Sequence, residues 1–443
     1  MSRFIALWLS LPLGLLCACS MAAEAESNYV DLWQLQQEAR GADPRVLKAQ
    51  AQVRSGEGRQ REALGRMLPQ LNANGSVNRS RRDDDLSRTE YNGKRAALAL
   101  NQVIYDPQSW RSYQKYAELA QQSQFESTNA QVVSSIDLSE RYFSVLAAED
   151  ELSLVRNELE ATRHNLKRVE SLYKKQMVLV TDPLDVQARV DTLEADEIEA
   201  ANKVAISREA ISELVGRDVQ EPLKRISDNP AFSPPAEAES YWVQIALESN
   251  PALQAREHSV NAADAAIREA KAGHLPRLGL NLTAQRSDIG YEGTLTPRSD
   301  NFVASLDLQV PLYSGGSTSA KVVASEGDKE AAQQDLEALR RQIVKETRSA
   351  YIGITAGLSR IKAARRALES TEKSRLATEK AYQYGVKNAT DVLDSVKNEF
   401  SARRDLYQSQ YKFVTSLLVL HRWSGRLSDV DIRRANDWLV API

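Results

Sequence analysis

Along residues 275–314 apolar and polar positions alternate twice. Leu278, Leu280, Leu282 and Ala284 alternate with Gly279, Asn281, Thr283 and Gln285. After a polar connection, Phe302, Ala304, Leu306, Leu308 and Val310 alternate with Val303, Ser305, Asp307 and Gln309. A period of two sustained over about ten residues predicts a pair of strands with one apolar and one polar face. A soluble hairpin would bury the apolar face in a core, whereas a transmembrane hairpin would turn it to lipid. In the second case Leu280, Leu282, Phe302, Leu306 and Leu308 face lipid, and Asn281, Thr283, Ser305 and Asp307 face water. The pattern occurs earlier as well. Leu71, Ala73, Gly75 and Val77 alternate with Asn72, Asn74, Ser76 and Asn78, and a charged loop leads to a second strand near Arg95–Tyr105.

The rest of the chain reads as helix. Residues 28–42 form a short amphipathic helix, and Asp43-Pro44 opens another that runs to Leu68-Pro69, with proline at the first helical position. No glycine or proline lies between Pro107 and Pro183. There Leu138, Val145, Leu152, Leu159, Leu166 and Tyr173 recur in heptads with Val155 and Val169 at the second seam position, and Val186, Val190, Leu193, Glu197, Ala200, Val204, Ser207, Ile211 and Leu214 follow in four-three spacing. These are the two arms of a helical hairpin. Asn250-Pro251 repeats Asp43-Pro44, Leu275-Pro276 repeats Leu68-Pro69, Thr390-Asp391 repeats Thr181-Asp182, and Gly425-Arg426 repeats Gly216-Arg217, all at an offset of about 208 residues. The mature chain is therefore a tandem duplication. Repeat 1 spans 23–216, with strands at about 70–105 and a helical hairpin at about 107–215. A Pro-rich linker and short helix occupy 217–249. Repeat 2 spans 250–426, with strands at about 277–312 and a hairpin at about 316–424, and 427–443 is a C-terminal tail. Repeat 2 keeps the seam at Ile354, Ile361, Leu368 and Tyr382, then at Ala402, Leu406, Phe413, Leu420 and Trp423.

Lengths fix the architecture. Residues 107–175 span about 100 Å as one helix, the return arm about 50 Å, and the preceding helix about 37 Å. Each repeat thus pairs one long helix with two short ones stacked end to end. The strands stand at one end of this shaft and the helical turn at the other. The fold class is α+β: a duplicated helical-hairpin shaft carrying four strands. Four strands are too few to close a barrel, since the smallest have about eight, so spanning a membrane requires an oligomer that shares one.

Composition changes the picture at the amino terminus. Of 443 residues, 26% are charged, and the net charge of −3 gives no footprint for nucleic acid. Arg3, the apolar run from Phe4 to Ala18 and Ser20-Met21-Ala22 read as a signal peptide over residues 1–22. The two cysteines, Cys17 and Cys19, fall inside it. The alternative is a lipid anchor on Cys19, because Leu16-Cys17-Ala18-Cys19 loosely resembles a lipoprotein box. No later segment has the roughly 20 apolar residues of a membrane helix.

Candidate chemistry is sparse. His164, His258, His274 and His421 are scattered without ligand spacing, and no phosphate loop, GxSxG or HExxH occurs. This is not an enzyme, and no cofactor or metal is expected. The helical turns are more informative. Asp182-Pro183 makes Asp182 a natural N-cap, and Asp391 and Asp394 occupy the places of Asp182 and Asp185 in the second repeat. Carboxylates in a first turn stabilise a helix start. Asp391 and Asp394 are also three apart on one face, so copies around an axis would form two acidic rings that favour cations and raise one another's pKa. Gly385 reads as the left-handed cap of the long helix, and its mate is Gln176, so the two turns are expected to differ.

Leu68–Leu71 (LPQL), Leu100–Asp106 (LNQVIYD), Leu275–Leu278 (LPRL), Pro311–Gly316 (PLYSGG) and Tyr384–Asp394 (YGVKNATDVLD), together with the duplication, resemble the TolC family of outer-membrane secretion and efflux channels. The resemblance implies a homotrimer with a twelve-stranded barrel in the outer membrane and a helical tunnel in the periplasm, closing at its tip. It implies a periplasmic adaptor and an inner-membrane ABC or RND transporter as partners, and a passive exit duct for type I protein secretion ahead of multidrug efflux. At the tip it assigns Asp391 and Asp394 to the constriction. It also makes Tyr382 and the residue at 387 close the tip against Thr181 and Asp182. Lys387 stands where the family has arginine, and lysine lacks the planar fork for a bidentate clamp. A periplasmic coiled-coil scaffold without a pore is the alternative of another class, against which the four amphipathic strands argue.

Overall fold

The computed structural model describes residues 29–83, 85, 88–227, 230–288 and 298–441. The signal peptide with Cys17 and Cys19 lies outside the described residues. Repeat 1 comprises α1 (Leu32–Ala42), α2 (Pro44–Gly65), β1 (Gln70–Asp83), β2 (Arg88–Tyr105), α3 (Pro107–Lys174) and α4 (Thr181–Val215). A short strand β3 (Arg225–Ile226) follows. Then come α5 (Glu239–Ser249), α6 (Pro251–Ala272), β4 (Arg277–Asp288), β5 (Ser299–Gln309), α7 (Ser317–Gln383) and α8 (Ala389–Trp423). The expected tail instead forms α9 (Asp429–Asn436) and β6 (Leu439–Val440), with β6 pairing antiparallel to β3.

Asx-Pro pairs start three of the helices. Asp43 accepts the Arg45 N–H at 2.8 Å, Asp106 those of Gln108 and Ser109 at 3.0 and 3.3 Å, and Asn250 those of Ala252 and Leu253 at 3.0 and 3.3 Å. Each satisfies N–H groups that a helix start leaves free, while the following proline has none to lose.

α3 runs 68 residues and α7 runs 67, each about 100 Å long. α2 and α4 lie along one flank of α3, and α6 and α8 fill the gap between α3 and α7. The result is a single-layer wall in the order α2/α4, α3, α6/α8, α7. The predicted seam of α4 is buried at Val186, Val190, Leu193, Ala200, Ile211 and Leu214. On α3 it holds at Leu138, Val145 and Leu159 and at the second seam position Val169, while Tyr173 is exposed, and Leu154, Glu158, Thr162 and Asn165 are buried as well.

The waist of the wall carries the main core. Leu32, Leu35, Tyr142, Leu146, Trp242, Phe413, Leu420, Ile432 and Leu439 pack together there, and Phe232 wedges between Phe413 and Trp438. Polar ties join the repeats nearby. Tyr411 on α8 donates to Asp150 on α3, Arg225 of β3 reaches the same carboxylate at 3.0 Å, and Arg404 pairs with Glu151 at 2.8 Å.

Helices α4 and α8 both end on left-handed glycines, Gly216 and Gly425. A Cβ on Gly425 would lie 2.8 Å from Asn250 Cα and closer still to the Ser249 carbonyl, whereas one on Gly216 would meet only Ala42 Cβ at 3.3 Å. Gly425→Ala is therefore expected to cost about 3–5 kcal/mol and Gly216→Ala about 1–2 kcal/mol. Denaturant midpoints of the two variants compare them, and equal losses would contradict the packing at Gly425.

Candidate functional site

The first site is the sheet, whose strand order is β1-β2-β4-β5, all antiparallel. Its register aligns the alternation of all four strands. Leu71, Leu100, Leu282 and Ala304 form one cross-strand row, and Ala73, Leu98, Ala284 and Phe302 the next. Leu280 lies opposite Leu306, and Leu278 opposite Leu308. The opposite face carries Gln70, Asn101, Asn281 and Ser305 in one row and Asn72, Ala99, Thr283 and Val303 in another. Among the described residues no core covers the apolar face, since Phe302 is 83%, Leu306 65% and Leu308 66% exposed. A soluble hairpin would have buried these side chains. β1 and β5 are edge strands with free backbone groups, and such edges demand a partner strand.

The second site is the tip, where the α3–α4 and α7–α8 turns meet. Val169 and Val186 of repeat 1 pack with Ala389 of repeat 2, and Tyr382, Leu166, Val178 and Leu393 surround them. The two turns share one backbone course. Met177 N–H bonds to Leu172 O and Val386 N–H to Ala381 O, with Gln176 and Gly385 both left-handed at φ 58° and 72°. The expected difference between the turns is thus absent from the backbone. The six-to-one hydrogen bond closes both caps and holds Gln176 in a conformation that glycine adopts freely.

Asp182 is not the N-cap. Helix α4 starts at Thr181, and Val180 before it already has helical angles, so the Asp182 carboxylate reaches back to the Leu179 N–H at 3.1 Å. Pro183 then falls within the first turn, where its missing N–H costs nothing. In repeat 2 the cap is Asn388, in a reciprocal box with Asp391: Asn388 Oδ1 accepts the Asp391 N–H at 2.7 Å and Asp391 Oδ2 accepts the Asn388 N–H at 3.1 Å. The Asp391 carboxylate also pairs with Lys387 Nζ at 3.2 Å. The Asn388 N–H, and after it the Lys387 ammonium, hold the Asp391 carboxyl below the usual carboxylate range. Asp394 is exposed and has no hydrogen-bond or ionic partner among the described residues. Of the two acids, Asp394 is the uncommitted charge.

Lys387 turns toward its own turn and Thr181 is exposed, so within one chain neither joins Tyr382. The Tyr382 hydroxyl is buried and has no hydrogen-bond partner among the described residues. Its ring lies under the Arg168 guanidinium, 4.8 Å from the centroid, and Arg168 in turn donates to Asn165 at 2.9 Å. A cation over an aromatic face contributes about 0.5–1 kcal/mol at exposed sites. Arg168 is a tip residue that the spacing does not disclose, because it faces its partner across more than two hundred residues of sequence.

Above the tip the two hairpins are built from different chemistry. In hairpin 1, Leu166, Val190, Leu159 and Leu193 form an apolar cluster. At the corresponding places in hairpin 2, Arg375 pairs with the buried Glu399, which also receives Arg403 at 3.1 Å. The flanking bridge survives with its charges exchanged, Arg163–Glu194 at 2.6 Å in one and Arg403–Glu372 at 2.8 Å in the other.

Four amphipathic strands on a long, laterally open helical wall define a component of an outer-membrane channel. The chain belongs to the outer membrane efflux protein family, whose description matches residues 35–217 and again 242–426, one match on each repeat. Outer membrane protein TolC of Vibrio cholerae is 29% identical over 98% of both chains. The alkaline protease secretion protein AprF of Pseudomonas aeruginosa is 28% identical over 85% of this chain and 80% of its own. The fold is that of the Campylobacter jejuni CmeC outer membrane channel, with a TM-score of 0.81 at 14% identity over 98% of each chain. The likeness read from LPRL, PLYSGG and YGVKNATDVLD is thus family membership. It places the chain in the outer membrane with its shaft in the periplasm, as a channel component of tripartite export systems.

Proposed function

We propose that three copies close into one channel-tunnel, a passive exit duct for type I protein secretion. The observation that carries this reading is that sheet and wall are open on both flanks. β1 and β5 have free edges, and apolar side chains stand exposed on the outermost helices: Leu47 on α2, Ile198 and Ile206 on α4, and Val323, Ile352 and Leu376 on α7. α7 buries only Ile343, Thr347, Ala350, Ile354 and Ile361 of its 67 residues, as expected of a helix that lacks a neighbour. Joining copies flank to flank satisfies edges and helices together. Three times four strands makes a barrel of twelve, an even number within the bacterial range.

In this assembly Leu280, Leu282, Phe302, Leu306 and Leu308 face lipid, and Asn281, Thr283, Ser305 and Asp307 line the lumen. Asp394, with Asp391 beside it, rings the narrow tip, while Tyr382, Thr181 and Asp182 meet the neighbouring turn. A periplasmic adaptor and an inner-membrane ABC transporter are the partners that supply energy. Protein secretion is favoured by the match to a protease secretion protein over most of both chains. Small-molecule efflux with an RND pump is the second reading, in keeping with the family description. Deleting the gene tests the choice. Loss of a secreted polypeptide from the medium with unchanged drug tolerance is expected, and the reverse pair of results would favour efflux.

A further inference from the structure

The apolar face of the sheet ends differently at its two ends. Beside the helices it runs through Leu278 and Leu308 to the exposed Val310 and Leu312, with Tyr105, Trp110 and Tyr313 exposed nearby. From Phe302 to Leu308, the apolar run within β5, is about 20 Å along the strand, which a tilt of 35–45° reduces to about 16 Å, and Val310 and Leu312 continue it toward the helices beyond the end of the strand. At the far end the same face becomes cationic. Arg286 lies opposite both Ala96 and Asp300, and Lys94 lies opposite both Val77 and Asp288. Then come Arg79 opposite Asn92, Arg81 opposite Glu90, and Asp83 opposite Arg88. Side chains two apart share a face, so these cations stand on the side of Leu98, Leu282 and Phe302.

Their carboxylate partners are weak competitors. Arg286 pairs with Asp300 at 2.7 Å and Arg79 with Glu90 at 2.8 Å, while Asp83 is shared by Arg81 and Arg88 at 3.1 Å each. All are exposed, and exposed pairs are individually weak and screened by salt. Lys94 forms no ion pair among the described residues, although Asp288 lies across from it and pairs with Arg298 at 3.8 Å, so the named cations outnumber the carboxylates of this face by one just where the apolar band stops. With the helices on the periplasmic side, this collar meets the outer leaflet.

We propose that the collar binds the phosphate monoesters of a phosphorylated glycolipid in the outer leaflet, with Lys94 and Arg286 as its nearest contacts. The inference rests on the lipid-facing reading of the apolar face. Arginine offers phosphate two parallel hydrogen bonds, and a monoester carries close to two charges where a diester carries one. A glycolipid monoester is therefore held in preference to phosphatidylglycerol.

The test reconstitutes the full-length protein in phosphatidylcholine vesicles containing lipid A or phosphatidylglycerol and counts retained lipid by native mass spectrometry. Neutralising one cation near a charged surface lowers binding about fivefold. Lys94→Gln with Arg286→Gln is expected to lower lipid A retention at least tenfold. Arg95→Gln, at the same height on the opposite face, should leave it unchanged. If the double variant does not assemble, Lys94→Gln alone, which breaks no ion pair, should still show a drop of about fivefold. Equal retention by wild type and Lys94→Gln, or equal retention of lipid A and phosphatidylglycerol, would overturn the collar. Failure of wild type to insert even into phosphatidylcholine would instead overturn the lipid-facing reading.

Discussion

Leu306→Arg is expected to abolish stable assembly in the outer membrane, while Ser305→Arg, one residue away, assembles normally. Leu306 lies opposite Leu280 near the middle of the apolar band and is 65% exposed, with no core packed on it among the described residues. An arginine at that depth costs about 2–4 kcal/mol per chain, and an assembly of several copies bears the cost in every one. The Ser305 side chain points to the face that carries Asn101, Asn281 and Asp307, where water solvates a new cation. The fraction of oligomer resisting dissociation in detergent measures both variants. Normal assembly of Leu306→Arg alongside failure of Ser305→Arg would reverse the assignment of the faces.

The second large effect is at the tip. Multivalent cations are expected to block current through the wild-type channel, because copies of Asp394 around an axis crowd uncompensated charge. Asp394→Ala should remove most of this block and weaken cation preference. Asp391→Ala should do less, since its charge is already opposed by Lys387 at 3.2 Å and its oxygen serves the helix cap. Within one chain the Asn388 N–H and Lys387 hold the Asp391 carboxyl below the usual carboxylate range, whereas Asp394 has no such partner. Planar-bilayer recordings of the two single variants and the double variant decide the point. Unchanged block in the double variant would leave both residues as helix-start carboxylates.

Much of this was legible from local chemistry. Asp43-Pro44 and Asn250-Pro251 each carry a complete helix-start signal within two residues, and the alternation of Leu278–Ala284 is enough to define a strand face. The remainder depends on contacts distant in sequence. α9 and β6 look like a tail because β6 is two residues long and exists only by pairing with β3. Gln176 gives no hint of a left-handed cap, since a hydrogen bond from its neighbour imposes that conformation. Asp182-Pro183 looks like a cap, but the preceding turn is already helical and shifts the helix start by two residues. The Arg168–Tyr382 contact has no local signature, because packing between the two hairpins creates it.

The most direct test of the channel assembly is the mass of the purified protein in mild detergent, with bound detergent subtracted. One chain is an open wall with two free sheet edges, and lipid does not tolerate such edges. A single species of three chain masses is the expected result. A monodisperse single chain, stable and folded in detergent, would contradict the shared barrel and with it the channel.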